Sequence, residues 1–310
     1  MNGMSIARFH VTGAGFLRLS GEDRVDFIQR QSTNDVTRLA EGRHVSTVLT
    51  NPAARIIDVL QLFTLDDDTL AAVTLPGRGP ATALFLKKRV FFNDRVIVED
   101  ASESVRVVDL LSHADLAGLP AAADGEVLTA ELEGETVRIL GQSEPFGPVT
   151  RLVIPLAGFE NLVTLLEHAG LSALSGADHQ ALRVEAGLPG PGSELTEDYT
   201  PLEIGLRDLV SDVKGCYTGQ EVIARQITYD KVTRGLAGIR LDGPAPSGAR
   251  VLAGDTNAGT LTSYAHSPRE GHIALAVLKR LHSEPGTVVK VETGNGAVAG
   301  RVVELPFSDR

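Results

Sequence analysis

Apolar positions along the chain fall into many short alternating blocks and a few stretches with helical spacing. Residues 17–20 read as the end of a strand, and Ser-Gly-Glu-Asp at 20–23 as a helix start. Phe27 and Ile28 lie on the apolar side of a helix that stops near Gln31. Ser32, Thr33, Asn34 and Asp35 are turn formers that end it. Strands are expected at 48–50, 56–65 and 69–75, with Asp66, Asp67 and Asp68 as a solvated hairpin turn rather than a cation site. A helix over 81–90, β-rich sequence over 93–110 and 126–140, a strand at 151–154 and helices at 160–169 and 177–186 follow. Gly187 stands as the glycine that closes the last of these helices. From residue 235 onward, runs at 236–241, 259–264, 273–278, 288–292 and 297–304 alternate with Gly, Pro and Asn turns, which predicts a small all-β barrel or sandwich.

The length, 310 residues, suits two or three domains, and 43% hydrophobic residues suffice for a real core. Lys and Arg total 29 against 40 Asp and Glu, a formal charge of −11, so a generic binder of nucleic-acid backbone is disfavoured. Cys216 is the single cysteine, so an intramolecular disulfide cannot form and the four ligands of an iron–sulfur cluster or a Cys-rich zinc site cannot come from thiolates of this chain. The first ten residues lack the apolar stretch of a secretory signal, and no apolar run approaches the ~20 residues of a membrane span. A cytoplasmic protein without membrane contact is expected.

The most informative segment is Lys-Gly-Cys-Tyr-Thr-Gly-Gln-Glu at 214–221, continued by Val-Ile-Ala-Arg-Gln-Ile. Thr218 and Glu221 have capping-box spacing ahead of a helix with Val222, Ile223 and Ile227 on its apolar face. Cys216 then precedes the helix start by two residues and follows Lys214 by two, and both neighbours would favour its thiolate. The alternative is a buried cysteine acting as a small hydrophobe, with Tyr217 filling the core and Glu221 only capping. Glu185, near a helix end, is a candidate acceptor for paired N–H donors of a heterocycle, and an ion pair with Arg183 or a nearby lysine is the plainer role. The eight histidines show no zinc-hydrolase spacing, Gly77-Arg-Gly79 lacks a phosphate-loop lysine and serine, and no nucleophile elbow is present.

The octapeptide resembles the signature of the YgfZ family of folate-binding proteins, relatives of the glycine-cleavage T-protein (aminomethyltransferase). The segment 23–35, the stretches 183–187 and 201–206, and Gly259–Ser263 with Ser267-Pro268 are similar to motifs shared by both families. The resemblance implies an α+β, three-lobed T-protein-like cloverleaf with a C-terminal β-barrel. It divides the chain into a discontinuous folate-binding lobe at 1–50 and 151–234, an inserted α+β lobe at 51–150, and a barrel at 235–310. It further implies tetrahydrofolate or a related reduced folate as cofactor, with Lys214 and Cys216 as the working pair. Glu185 would bind the pterin, Tyr217 and Gln220 would join the site, and Arg225 and Arg234 would meet the glutamate tail. The family is implicated in assembling or maintaining iron–sulfur clusters, so the expected partners are iron–sulfur client or assembly proteins, with effects on tRNA-modifying enzymes and no direct nucleic-acid contact. Aminomethyl transfer is the enzymatic alternative and a noncatalytic folate-sensing scaffold a third. Against aminomethyl transfer, T-proteins carry paired aspartates where this chain reads Ile56-Ile-Asp58-Val59, and an asparagine where it reads Ala72-Val-Thr-Leu75.

Overall fold

The computed structural model describes residues 8–111, 119–294 and 296–307. The first seven positions of the N-terminal reading lie outside the described residues. The chain divides into two compact units, one of Met1–Leu49, Asp58–Ser175 and Val213–Tyr217, the other of Thr50–Ile57, Gly176–Asp212 and Thr218–Arg310.

In the first unit the strands are β1 (Arg8–Val11), β2 (Ala14–Ser20), β3 (His44–Thr50), β4 (Ile56–Asp66), β5 (Thr69–Pro76), β6 (Ile97–Asp100), β7 (Val105–Leu110), β8 (Val127–Leu132), β9 (Glu135–Glu144), β10 (Gly147–Pro155) and β11 (Ser172–Ala173). They form a sheet of order β11-β1-β7-β10-β9-β8 and a second of order β3-β4-β5-β2-β6. Helices α1 (Arg24–Gln31), α2 (Gly79–Lys87) and α3 (Phe159–His168) accompany them. Strand alternation sends one side of the first sheet (Phe9, Val108, Leu152, Ile154) against Leu162 and Leu166 of α3. Val107, Leu140 and Val153 on its other side pack with Phe16, Phe63 and Val73 of the second sheet. Phe27 and Ile28 of α1 are fully buried, as their spacing requires.

The second unit holds α4 (Gly176–Glu185), α5 (Gln220–Thr228) and a closed six-stranded barrel of β12 (Arg234–Leu241), β13 (Arg250–Ala253), β14 (Thr256–Ser267), β15 (Gly271–Lys279), β16 (Val288–Thr293) and β17 (Gly296–Val303). Ile239, Val251, Leu261, Ala274 and Val291 fill the barrel. Ala181 and Val184 of α4 pack on Ala265, Ile273 and Leu275. Gly187, at φ 72°, closes α4: its N–H reaches Val184 O at 3.0 Å and the N–H of Leu188 reaches Arg183 O at 3.0 Å, the paired bonds of a Schellman close.

The fold class is as expected, α+β with a C-terminal barrel, but the lobe boundaries of the sequence reading are corrected by strand pairing. Strand β7 pairs with β1 on one side and β10 on the other, so residues 51–150 do not form a separate inserted body. The expected β-rich stretch over 126–140 is a hairpin, β8 against β9, turned at Glu133 and Gly134. Asp66–Asp68 form the expected turn, with Asp66 Oδ1 accepting the Asp68 N–H at 3.0 Å.

Candidate functional site

The turn formers after α1 are stitched onto β3 rather than left as a loose loop. Thr33 N–H donates to Val48 O at 3.0 Å, and Val48 N–H returns to the Thr33 hydroxyl at 3.1 Å. Asn34 N–H donates to Thr47 Oγ1 at 2.8 Å and the Asn34 amide to Ser46 O at 2.8 Å. Asp35 accepts from the Thr37 hydroxyl, Gln29 and Arg38, and these contacts, the hydroxyl foremost, hold its carboxyl below the usual range. Stitched in this way, the segment offers three carbonyls to one point. Lys214 Nζ sits there, donating to Gln29 O at 2.7 Å, Ser32 O at 2.7 Å and Asn34 O at 2.6 Å. The side chain is buried, and burial pushes the ammonium down to about 8, with Asp35 opposing. Tyr217 is buried too, its ring centroid 5.1 Å from the same Nζ.

Cys216 lies between these two anchors and is exposed. The thiol is therefore not a core hydrophobe. All three donors of Lys214 are engaged by carbonyls, so the ammonium anchors the segment. The observed start of α5 lies one residue later than the spacing of Thr218 and Glu221 predicts. Helix α5 is capped by Gly219, in the left-handed region at φ 86°, and begins at Gln220. A Cβ at Gly219 would stand 2.8 Å from Thr50 Oγ1 and 2.9 Å from Asn51 O, and Thr50 Oγ1 donates to Thr218 O at 2.6 Å. That close backbone seat leaves no room for a side chain at the position before α5. Glu221 instead pairs with Arg225 one turn on, at 2.5 Å, both exposed.

Glu185 and Arg234, two of the remaining expected ligand residues, are held by partners within the chain. Glu185 is buried; Ser267 Oγ donates to its Oε1 and Arg269 to its Oε2, so its partner is Arg269 and not Arg183 or a lysine. The hairpin turn after β14 supplies both partners. Arg234 donates to Glu203 at 2.7 Å and to Asp198 O at 2.7 Å, while Arg55 reaches Glu203 at 3.3 Å. Gln220 is half-buried at the first turn of α5.

Sequence reasoning passed over Glu194. It is fully buried, and its Oε2 accepts from Gly190 N–H at 2.7 Å and Arg183 at 3.3 Å, but its Oε1 has no hydrogen-bond partner. The signal was the glycine-rich run 187–192 leading to one carboxylate. Asp58, the counterpart of the paired aspartates, is fully buried. It accepts from Val59 N–H at 2.8 Å, Leu75 N–H at 3.0 Å and the Thr82 hydroxyl, and burial raises its pKa to about 6. A depression of about 360 Å³ lined by Thr64, Asp66, Thr129 and Arg138 holds none of these residues.

Among the described residues no helix is long and apolar enough to cross a membrane. Residues 234–309 match the family described as the glycine cleavage T-protein C-terminal barrel domain. Over 96% of its length, and 70% of the relative's, the chain is 31% identical to "Putative transferase At1g60990, chloroplastic" of Arabidopsis thaliana. It is 29% identical to an aminomethyltransferase of Saccharopolyspora erythraea, covering 97% of this chain and 86% of that one. The fold matches the crystal structure of glycine cleavage system aminomethyltransferase T from Bartonella henselae with a TM-score of 0.86, covering 97% of this chain and 86% of that one at 22% identity. The barrel, the near-complete alignment with these relatives and the shared fold together place the chain in the glycine-cleavage T-protein superfamily.

Proposed function

We propose that the protein is a folate-binding accessory factor for iron–sulfur enzymes, in the YgfZ branch of the superfamily, with Cys216 as its working thiol. The observation that carries this reading is the presentation of that thiol: exposed, between two buried anchors, Lys214 and Tyr217. A lone thiol cannot hold a cluster by itself, so its action falls on client or assembly proteins, and any effect on tRNA modification passes through them.

One acceptor in the chain stands open to a reduced folate. Glu185 and Arg234 are held in ion pairs within the chain, and Arg225 pairs at the exposed surface with Glu221. The unpartnered Oε1 of Glu194 is the acceptor that a pterin N–H would satisfy, with Arg183 holding the other oxygen. A bound reduced folate supplies a carrier for a one-carbon unit. Lys214 keeps the thiol segment in place by its three carbonyl contacts and Glu194 orients a heterocycle. Aminomethyl transfer is the second reading, favoured by the named activity of the relatives and disfavoured by Asp58, whose carboxylate is enclosed by Thr82 and two backbone amides.

A null strain complemented with wild type and Cys216→Ser, read as activity of a cluster enzyme, tests the proposal. Alongside it, tetrahydrofolate titrations compare wild type with Glu194→Gln. Cys216→Ser is expected to fold and bind tetrahydrofolate like wild type yet fail to restore activity, and Glu194→Gln to weaken binding about tenfold or more. Full rescue by the serine variant overturns the thiol role. Ammonia release from an aminomethylated lipoyl carrier establishes the second reading instead.

A further inference from the structure

Strands β14 and β15 carry a cross-strand pair that neither the thiol nor the folate reading uses. His266 stands opposite His272 in the antiparallel register, two residues beyond Tyr264 on the same face. The two imidazole centroids are 5.0 Å apart with the rings inclined at 63°. Tyr264 lies parallel to His272, centroids 6.0 Å apart, and its hydroxyl is 2.6 Å from His272 Nδ1. The hairpin is fixed at its end, where Ser267 Oγ accepts the N–H groups of Arg269 and Glu270 and donates to Glu185.

We propose that His266 and His272 form a two-histidine chelate for a borderline transition-metal ion, with Tyr264 as the group that orients His272. The spacing is the first argument. Zn²⁺ binds imidazole nitrogen at about 2.0–2.1 Å, which puts each ring centroid about 3.2 Å from the metal, and two rings at a tetrahedral angle then stand about 5 Å apart. The second argument is independent of it. A metal-bound histidine characteristically engages an oxygen through its other ring nitrogen, and the Tyr264 oxygen occupies that position, leaving His272 Nε2 as the ligating atom. The donor set chooses the ion: two neutral nitrogens suit Zn²⁺, Ni²⁺ and Cu²⁺ and not Mg²⁺ or Ca²⁺. Among the described residues no group of three or more His, Cys, Asp or Glu converges on a metal position, so the pair supplies two ligands and leaves the others to water or a bound anion. His266 is exposed and His272 half-buried, which gives the ion an entry path.

The test is calorimetric titration of the full chain with Zn²⁺ and, separately, Mg²⁺, in a Cys216→Ser background so that the thiol contributes nothing. One Zn²⁺ is expected to bind, Mg²⁺ is not, and the bound metal should raise Tm. His266→Gln and His272→Gln should each weaken Zn²⁺ at least tenfold and abolish the metal-induced rise while leaving the metal-free Tm unchanged. Tyr264→Phe should weaken it about tenfold through orientation of His272. Absence of Zn²⁺ binding, or binding unchanged in both histidine variants, overturns the proposal.

Discussion

Lys214 replaces the water around its ammonium with three carbonyls, two on residues adjacent to or within a turn and one in the last turn of α1. Lys214→Met keeps the stem and removes the charge, leaving those carbonyls short of a donor. The expected loss is about 1–3 kcal/mol, measured by urea denaturation, with faster amide exchange over 32–35 and 213–217. Lys214→Arg should not restore it, because a planar fork does not match three acceptors converging on one point. That the chemistry clusters around positions 214–217 is legible in the octapeptide itself. The aim of the ammonium is not, since its acceptors lie some 180 residues away and are created by the way Ser32, Thr33 and Asn34 bind β3. Glu185 teaches the same lesson: an ion pair was the plainer reading, and its partner sits 84 residues on, in a hairpin turn.

At the scale of elements, α5 depends on a residue without a side chain. Gly219→Ala would place a methyl group against Thr50 Oγ1 and Asn51 O while holding alanine at a positive φ. The expected cost is about 1–3 kcal/mol, read as a fall in Tm, with α5 amides losing protection first. Barrel strands were legible because period-two alternation and Gly or Pro turns are local signals, and five of the six were placed; β13, four residues long, was too short to show a period. The grouping of strands was not legible. Which strand lies beside β1 is decided by ladders between residues a hundred positions apart, as in the pairing of Phe9 with Leu110. The start of α5 was legible to within one residue from Thr218 and Glu221, whereas the left-handed turn at Gly219 depends on Thr50 and Asn51, far away in sequence.

For the molecule as a whole, buried and half-buried titratable groups set opposing dependences on pH. Burial raises Asp58 to about 6 and Glu144 to about 7, in the latter case with Asp109 and Asp124 adding to the effect and Arg151 opposing it. With folded pKa values above the unfolded ones, both carboxyls hold protons more tightly in the folded state. The stability they contribute is therefore lost as pH rises from about 4 through 6 and 7. Burial lowers His10 and His44, so these contribute stability that is lost as pH falls through their ordinary range near 6.5. His44 is tied through Gln61 to Arg151, which holds Asp109 by two bonds of 2.8 Å, so these titrations share one network. Comparing variants with wild type isolates the carboxyls. Asp58→Asn and Glu144→Gln should match wild type in denaturation midpoint at pH 4 and exceed it increasingly up to pH 7.5. For Asp58 the gain should be on the order of 1–3 kcal/mol. A difference that is constant with pH would remove the buried-carboxyl account.

One further consequence follows from the solitary thiol. Because the 310 residues contain one mercapto group and it faces solvent, a maleimide dye or nitroxide can be attached at a single defined address in the unmodified sequence. The same atom that is proposed to act on client proteins thus doubles as a built-in vantage point for watching them arrive.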